Sequence, residues 1–238
     1  MRWLSWDELP EGMRLDEVRP YYDSLAKKRG QLAAKRALDV VGSLVIFALT
    51  WWLFAVLAIA IKLDSPGPVF YRQERVTQYG ETFRIFKFRT MVQDADRIGS
   101  AVTTNGDARV TRVGSVVRKF RLDEFSQLID VLRGTMSFVG TRPEVPRYVA
   151  SYTPEMMATF LLPAGVTSNA SIVFKDEAEL LDAEGDVERA YVEDVLPRKM
   201  EHNLRDMAGF SFLRDVKLMF ATVGAVLGLG TSESMTIM

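Results

Sequence analysis

The chain has 238 residues, no cysteine, one histidine and a formal net charge of −1. This excludes disulfides, thiolate catalysis, cysteine-ligated zinc and multi-histidine metal centres, and it leaves no overall basic field for nucleic acid. Chemistry must rest on carboxylates, Lys, Arg, hydroxyls and backbone, and the metal class these serve is a hard, oxygen-liganded cation such as magnesium.

Residues 1–34 mix acidic, basic and apolar side chains without the pattern of a signal peptide. They predict an N-terminal extension, flexible or with one short helix, whose Trp3, Leu4 and Trp6 could also rest on a membrane surface. Val40–Ile61 carries no charge. As a straight helix it would run about 33 Å at ~1.5 Å per residue, enough for a bilayer core of about 30 Å. Lys27, Lys28, Arg29, Lys35 and Arg36 precede it, which puts that end in the cytoplasm. A crossing would then carry everything after Lys62 to the other side. A helix returning to the same side would need a bend, yet the run has no proline and only Gly42, Ser43 and Thr50 to relieve the backbone.

Asp64–Pro68 is a strong break. Val69–Arg75 and Thr82–Phe88 alternate as two strands, with Gln78–Gly80 turning between them. Lys87 and Arg89 flank Phe88 and should share one face, towards phosphate or towards solvent. Met91–Ala108 reads as a surface loop or lid, and Gly114 opens a short helix through Phe120.

After Arg121, the residues Leu122, Phe125, Leu128, Ile129 and Leu132 recur at helical spacing. That spacing predicts a helix with Asp123, Gln127 and Asp130 on its polar side, stopped at Gly134. A turn over Ser137–Pro143 should follow, offering backbone N–H groups and Arg142. The adjacent carboxylates Asp123 and Glu124 thus lie among Arg118, Lys119, Arg121, Arg133 and Arg142. Such a pair suits attack on a phosphate, or holding a metal against one; a solvated, ion-paired helix face is the plain alternative.

Thr153-Pro154-Glu155 starts another helix, ended by Pro163. Ala164–Ser171 is small and polar and reads as a loop able to approach a ligand. Asp186–Met207 is helical and charged, interrupted at Pro197, with His202 on a solvated face. Leu218–Ser232 is uncharged but short for a crossing, and suits a helix in the membrane interface or a C-terminal core helix.

In combination, KRALDVVGS before the apolar run, SPGPVFYRQERVTQYGETFRIFKFRTM, RLDEFSQLIDVLRGTMSFVGTRP and FLRDVKLMF resemble the bacterial sugar transferases, the monotopic phosphoglycosyl transferases. The resemblance covers about three-quarters of the chain, from Lys35-Arg36 to about Phe220. It implies transfer of a phosphosugar from a UDP-sugar to undecaprenyl phosphate, with release of UMP, at the start of surface-glycan (exopolysaccharide) assembly. It implies Asp123 as the nucleophile that forms a covalent intermediate and Glu124 as its catalytic partner at Mg2+, both being candidate metal ligands. It implies Arg142-Pro143 on phosphate, with Arg118, Lys87 and Arg89 as further phosphate-binding candidates. Thr167, Ser168 and Asn169 are candidates for nucleotide-sugar binding. The resemblance also implies a re-entrant membrane helix, so that both flanks stay on the cytoplasmic face of the bacterial inner membrane.

The expected fold is therefore α+β and mainly α-helical, with an N-terminal re-entrant membrane helix, amphipathic interfacial helices and a small β-hairpin. Its divisions are an extension 1–34, a membrane helix 35–62 and a cytoplasmic catalytic domain 63–238. Expected partners are the UDP-sugar, undecaprenyl phosphate and the bilayer, with no nucleic acid and with homodimerisation open. Two departures from the family pattern stand out: Trp51-Trp52 occupies the place of the usual Ser-Pro bend, and PAGVTSNASIVFKDE from Pro163 replaces the common Pro-Gly-Ile-Thr-Gly segment.

Attack of a carboxylate on a diphosphate gathers anions, and each unit repulsion at ~4 Å costs about 4 kcal/mol at an effective dielectric of ~20. The surrounding cations should offset this, and they should also hold Asp123 ionised. Two other readings remain: a membrane-bound glycosyltransferase that releases UDP, and a non-enzymatic membrane anchor or assembly factor.

Overall fold

The computed structural model of the protein describes residues 3–95, 107–174 and 187–226. The fold is α+β and mainly helical, with two small sheets. The N-terminal segment is not a loose extension. Two 3-10 turns, Trp6–Glu8 and Glu11–Met13, lead into helix α1, Arg19–Ala26. Leu9, Met13, Val18, Tyr22 and Leu25 are buried in one cluster with Phe160, Leu161 and Phe210. Trp3 and Trp6 pack on Tyr22, each with ring centroids 5.2 Å from it, so they belong to the body.

Helix α2, Arg29–Asp64, is continuous over 36 residues, about 54 Å long if straight. Its buried residues fall at two places: Leu32, Lys35, Asp39 and Ser43 near the start, Leu57 and Ile61 near the end. Between them Leu44, Val45, Phe47, Leu49, Trp51, Trp52 and Val56 are exposed. Only partly buried residues such as Ile46, Leu53 and Phe54 join this middle stretch to the core. Arg89 caps the far end. Its guanidinium donates to the carbonyls of Ser65 (2.7 Å) and Pro66, and to Ile61 at 3.5 Å.

Strands β1 (Phe70–Val76) and β2 (Thr82–Phe88) form the expected antiparallel hairpin, with Phe70 opposite Phe88 and Val76 opposite Thr82. The 3-10 turn Gln78–Gly80 joins them. Of the expected 91–108 loop, residues 96–106 lie outside the described residues; Met91 bridges to Val110. Helix α3, Arg112–Lys119, starts at Thr111, whose hydroxyl accepts from the Gly114 N–H. A 3-10 segment, Leu122–Gln127, runs into helix α4, Leu128–Arg133, which ends at Gly134 with φ 85° as the sequence predicts.

The predicted turn over Ser137–Pro143 is in part a strand. β3, Met136–Val139, pairs in parallel with β4, Ala164–Thr167. The expected loop Ala164–Ser171 is therefore strand β4, then a cap at Ser168, then the short helix α5, Asn169–Val173. β3 and β4 pass so closely that a Cβ on Gly165 would collide with the Gly140 backbone. The 3-10 segment Glu155–Leu161 stands where a helix was predicted. The charged helix after residue 186 widens into a π-turn at Tyr191–Val195 and resumes as α6, Leu196–Ala208, with Pro197 in its first turn. Helix α7, Phe212–Val226, exposes Leu213, Phe220 and Val223 while turning Leu218 inward.

Candidate active site

β2 has one edge free of β1, and the segment 122–133 lies along it. The Phe86 N–H donates to Asp130 Oδ2 at 2.8 Å, which supplies the acceptor that edge would otherwise lack. Leu122 packs with Leu57, Ile61 and Phe88, and the Phe125 ring lies 5.4 Å from that of Phe54 on α2. Apolar contacts to α2 thus fix the segment. Arg121 enters it in the left-handed region, φ 55°, uncommon for a residue with a Cβ. Asp123 and Glu124 follow in the first turn.

The predicted polar side is not solvated: Gln127 and Asp130 are each 1% exposed. Burial raises the Asp130 carboxyl to about 6, against the pull of the Phe86 N–H, Arg72 and Arg133.

The two adjacent carboxylates differ. Glu124 is clamped. Arg142 reaches it with both terminal nitrogens, one at 3.2 Å and the other in a short contact to Oε1, and Lys87 Nζ stands 3.4 Å away. Burial opposes the Glu124 charge, but Arg142 and Lys87 outweigh it and hold the carboxyl well below the usual range. Asp123 has no cation within 4 Å among the described residues. Burial, and then the charge of Glu124, raise its carboxyl above the ordinary value, with Lys87 and Arg118 only partly opposing. Lys87 and Arg118 favour ionised Asp123, as expected, but burial and Glu124 outweigh them, while Arg142 and Lys87 clamp Glu124, so Asp123 is the more basic of the two.

The other predicted site residues divide. Lys87 and Arg142 meet at Glu124. Arg118 acts on Asp123 through its charge while its Nε donates to Thr90 Oγ1 at 2.8 Å. Arg89 is not with them; it is 5% exposed and engaged with the carbonyls at the end of α2. Thr167, Ser168 and Asn169 stand together elsewhere. Thr167 shares a 2.8 Å hydrogen bond with Thr222, Ser168 caps α5, and Asn169 shares a cleft with Asp206. This second cleft is also lined by Lys35, Thr141, Asn203 and Arg214.

The sequence reading missed Arg75 and Gln127. They line a small cavity with Ile85, Lys87, Arg142 and Pro143. Arg75 donates to the Pro143 carbonyl at 3.0 Å and pairs with Glu144 at 3.6 Å. Strand alternation could have found it. Tyr71 is opposite Lys87 and Arg75 opposite Phe83, so Arg75 and Lys87 share one face of the hairpin.

Could this pair hold a hard cation? No cluster of three or more acidic or histidine ligands occurs among the described residues. Asp123 and Glu124 are adjacent carboxylates; Glu124 is engaged by Arg142 and Lys87, and Asp123 has no cation on it among the described residues. That donor set fits magnesium, which is commonly held by one or two carboxylates with the remaining positions taken by water and substrate phosphate.

The family profile described as Bacterial sugar transferase matches residues 30–228. The chain is 35% identical over 196 residues to the UDP-N-acetylgalactosamine-undecaprenyl-phosphate N-acetylgalactosaminephosphotransferase of Aeromonas hydrophila, covering 81% of this chain and 43% of that protein. It is 35% identical to the UDP-glucose:undecaprenyl-phosphate glucose-1-phosphate transferase of Caulobacter vibrioides, covering 81% of this chain and 69% of that one. A protein of the same name from Escherichia coli is 33% identical over 88% of this chain and 44% of its own length. The chain thus spans less than half of two of these relatives and about two-thirds of the third. With the profile covering nearly everything from the start of α2 to the end of α7, the chain belongs to the bacterial sugar transferase family.

Proposed function

We propose that this protein moves a phosphosugar from a UDP-sugar to undecaprenyl phosphate through a covalent intermediate on Asp123. The observation that carries this reading is the asymmetry of the pair. Glu124 is neutralised by Arg142 and Lys87, while Asp123 has no such partner and is the more basic. An Asp123 oxygen attacks the sugar-bearing phosphorus. The bond from that phosphorus to the bridging oxygen breaks, and its electrons leave on UMP. The lipid phosphate then attacks the same phosphorus, and Asp123 departs as a carboxylate. Arg142, Lys87 and Arg118 stabilise the phosphoryl oxygens as charge shifts among them. Magnesium, when bound by Asp123 and Glu124 with the diphosphate, would neutralise charge on the phosphates. The Val139–Thr141 segment borders the second cleft and leads directly to Arg142, so we assign the remainder of the donor to that side, near Asn169.

We place the protein in the bacterial inner membrane with both ends of α2 on the cytoplasmic side. One body holds α2 at Asp39 and again at Asp64, whose carboxylate accepts from the Val113 N–H at 2.9 Å. A crossing would separate those ends by about 30 Å of hydrocarbon. The exposed middle of α2, with Leu213, Phe220 and Val223 of α7, supplies apolar surface for one leaflet.

The test is nucleotide release. Purified protein with magnesium, undecaprenyl phosphate and a panel of UDP-sugars should yield UMP, dependent on the lipid and on Asp123. Release of UDP would replace this mechanism with sugar-only transfer. No nucleotide from any donor would favour a non-catalytic anchor.

A further inference from the structure

The Glu124–Arg142 pair joins two separate stretches of chain: the 3-10 segment continuing into α4, and the strand β3 that leads to Arg142. Each is fastened to the same two turns of α2. Arg36 donates to the Val131 carbonyl at 2.6 Å and to the Leu132 carbonyl at 2.8 Å, at the far end of α4. Asp39 Oδ1 accepts from Ser137 Oγ and from the Phe138 N–H, each at 3.0 Å. Lys35 Nζ donates to the Val139 carbonyl at 2.7 Å and pairs with Asp215 of α7 at 2.5 Å. Three consecutive residues of β3 are therefore held by two α2 side chains, three positions before Arg142.

Stability alone does not account for this arrangement. Asp39 is 2% exposed, and its Oδ2 has no hydrogen-bond partner among the described residues; Ser43 Oγ, one turn further on, is in the same condition. A buried carboxylate with an idle oxygen costs free energy. What the site gains is registration: Arg36 fixes the carboxylate half of the pair, Asp39 and Lys35 the arginine half.

We propose that Lys35, Arg36 and Asp39 are positioning residues for the Glu124–Arg142 pair, so that the start of the apolar helix is part of the active-site scaffold as well as an anchor. They touch no reacting atom and act through the backbones of α4 and β3. The activity arm of the test rests on the transferase reading; the cross-linking arm does not.

In the first arm, kcat/KM for the UDP-sugar is measured for D39A, D39N, R142A and D39A/R142A, with thermal unfolding of each. D39A should lower kcat/KM by about 10- to 100-fold, the scale of a small misplacement of catalytic groups. D39N keeps the accepting oxygen and should stay within about threefold of wild type, and D39A should cost less than about threefold more in the R142A background. Equal fold-losses with and without Arg142 would assign Asp39 to general stability and overturn the proposal. If D39A fails to fold, S137A removes one of the two bonds to Asp39 and should give a smaller loss, again absorbed by R142A. In the second arm, E124C/R142C is treated with a short bis-methanethiosulfonate linker; the chain has no other cysteine. D39A should slow linking. Linking at the same rate with Asp39 or D39A overturns the proposal whether or not any donor is turned over.

Discussion

At the scale of the residue, the two carboxylates of one dipeptide differ because of what surrounds each. Replacing Asp123 with Asn should reduce UMP release by at least ~10³-fold, with the unfolding temperature and donor binding retained. The pH dependence follows from the shifts. In the proposed mechanism Asp123 attacks as the carboxylate, and its carboxyl is raised, so the acid limb of kcat/KM should lie above the ordinary carboxylate range. Burial lowers the Lys87 ammonium, aided by Arg142 and Arg75 and opposed by Glu124, so the alkaline limb should fall below the ordinary lysine range. K87R should move that limb to higher pH. An alkaline limb unmoved by K87R would mean that another group titrates there. Asp130 gives a stability prediction of definite sign. Its folded value, about 6, is above the ordinary 3.8, so its charge costs stability above pH 6 and the cost fades as pH falls towards 4. D130N should therefore unfold at a higher temperature than wild type at pH 8, with the gap closing near pH 4.

At the scale of the element, the sequence shows the hairpin, because alternation and turn residues agree there, and it shows the stop of α4 at Gly134, because only the turn chemistry matters. It shows Asp123 and Glu124 together with Lys87 and Arg142. It does not show that Gln127 and Asp130 are buried. A single period of 3.6 was read across a segment that begins as a 3-10 helix, with three residues per turn, so the inferred face drifts. The decisive partner of Asp130, the open edge of β2, is also 44 residues away. The place of Arg89 is hidden for a related reason: the three carbonyls that occupy it belong to the end of α2 and the break after it. The parallel β3–β4 pair was hidden because each strand has four residues, too few for a period. Its closeness can be tested. G165A should destabilise the fold by at least about 1–3 kcal/mol, a fall of several degrees in unfolding temperature, because the added methyl meets Gly140 backbone that cannot rotate away. An unchanged unfolding temperature would mean that the two strands stand further apart.

At the scale of the whole molecule, the proposed topology rests on the arrangement of α2. Glu17 and Glu81 lie on either side of the helix and are exposed. With no native cysteine, E17C and E81C can be labelled singly in sealed vesicles. Both should react from the cytoplasmic side; labelling from opposite sides would mean that α2 crosses. The sequence posed this problem but could not resolve it, since length and hydropathy are the same for a crossing and a returning helix. What distinguishes the two is which body each end touches, and that is tertiary information. The N-terminal segment was underestimated for the same reason. Its apolar residues are spread thinly on both sides of Pro10 and Pro20, and only packing against Phe160, Leu161 and Phe210 makes them a core.

The four tryptophans divide evenly. Trp3 and Trp6 lie against Tyr22 inside the body, while Trp51 and Trp52 are exposed on the middle of α2. The protein therefore carries two intrinsic fluorophore populations in different surroundings. Bromine or a spin label on an acyl chain would quench the emission of the second pair and spare the first. The quenched share reads how deeply the helix sits in lipid, and the remaining share reads, in the same spectrum, whether the body is still folded.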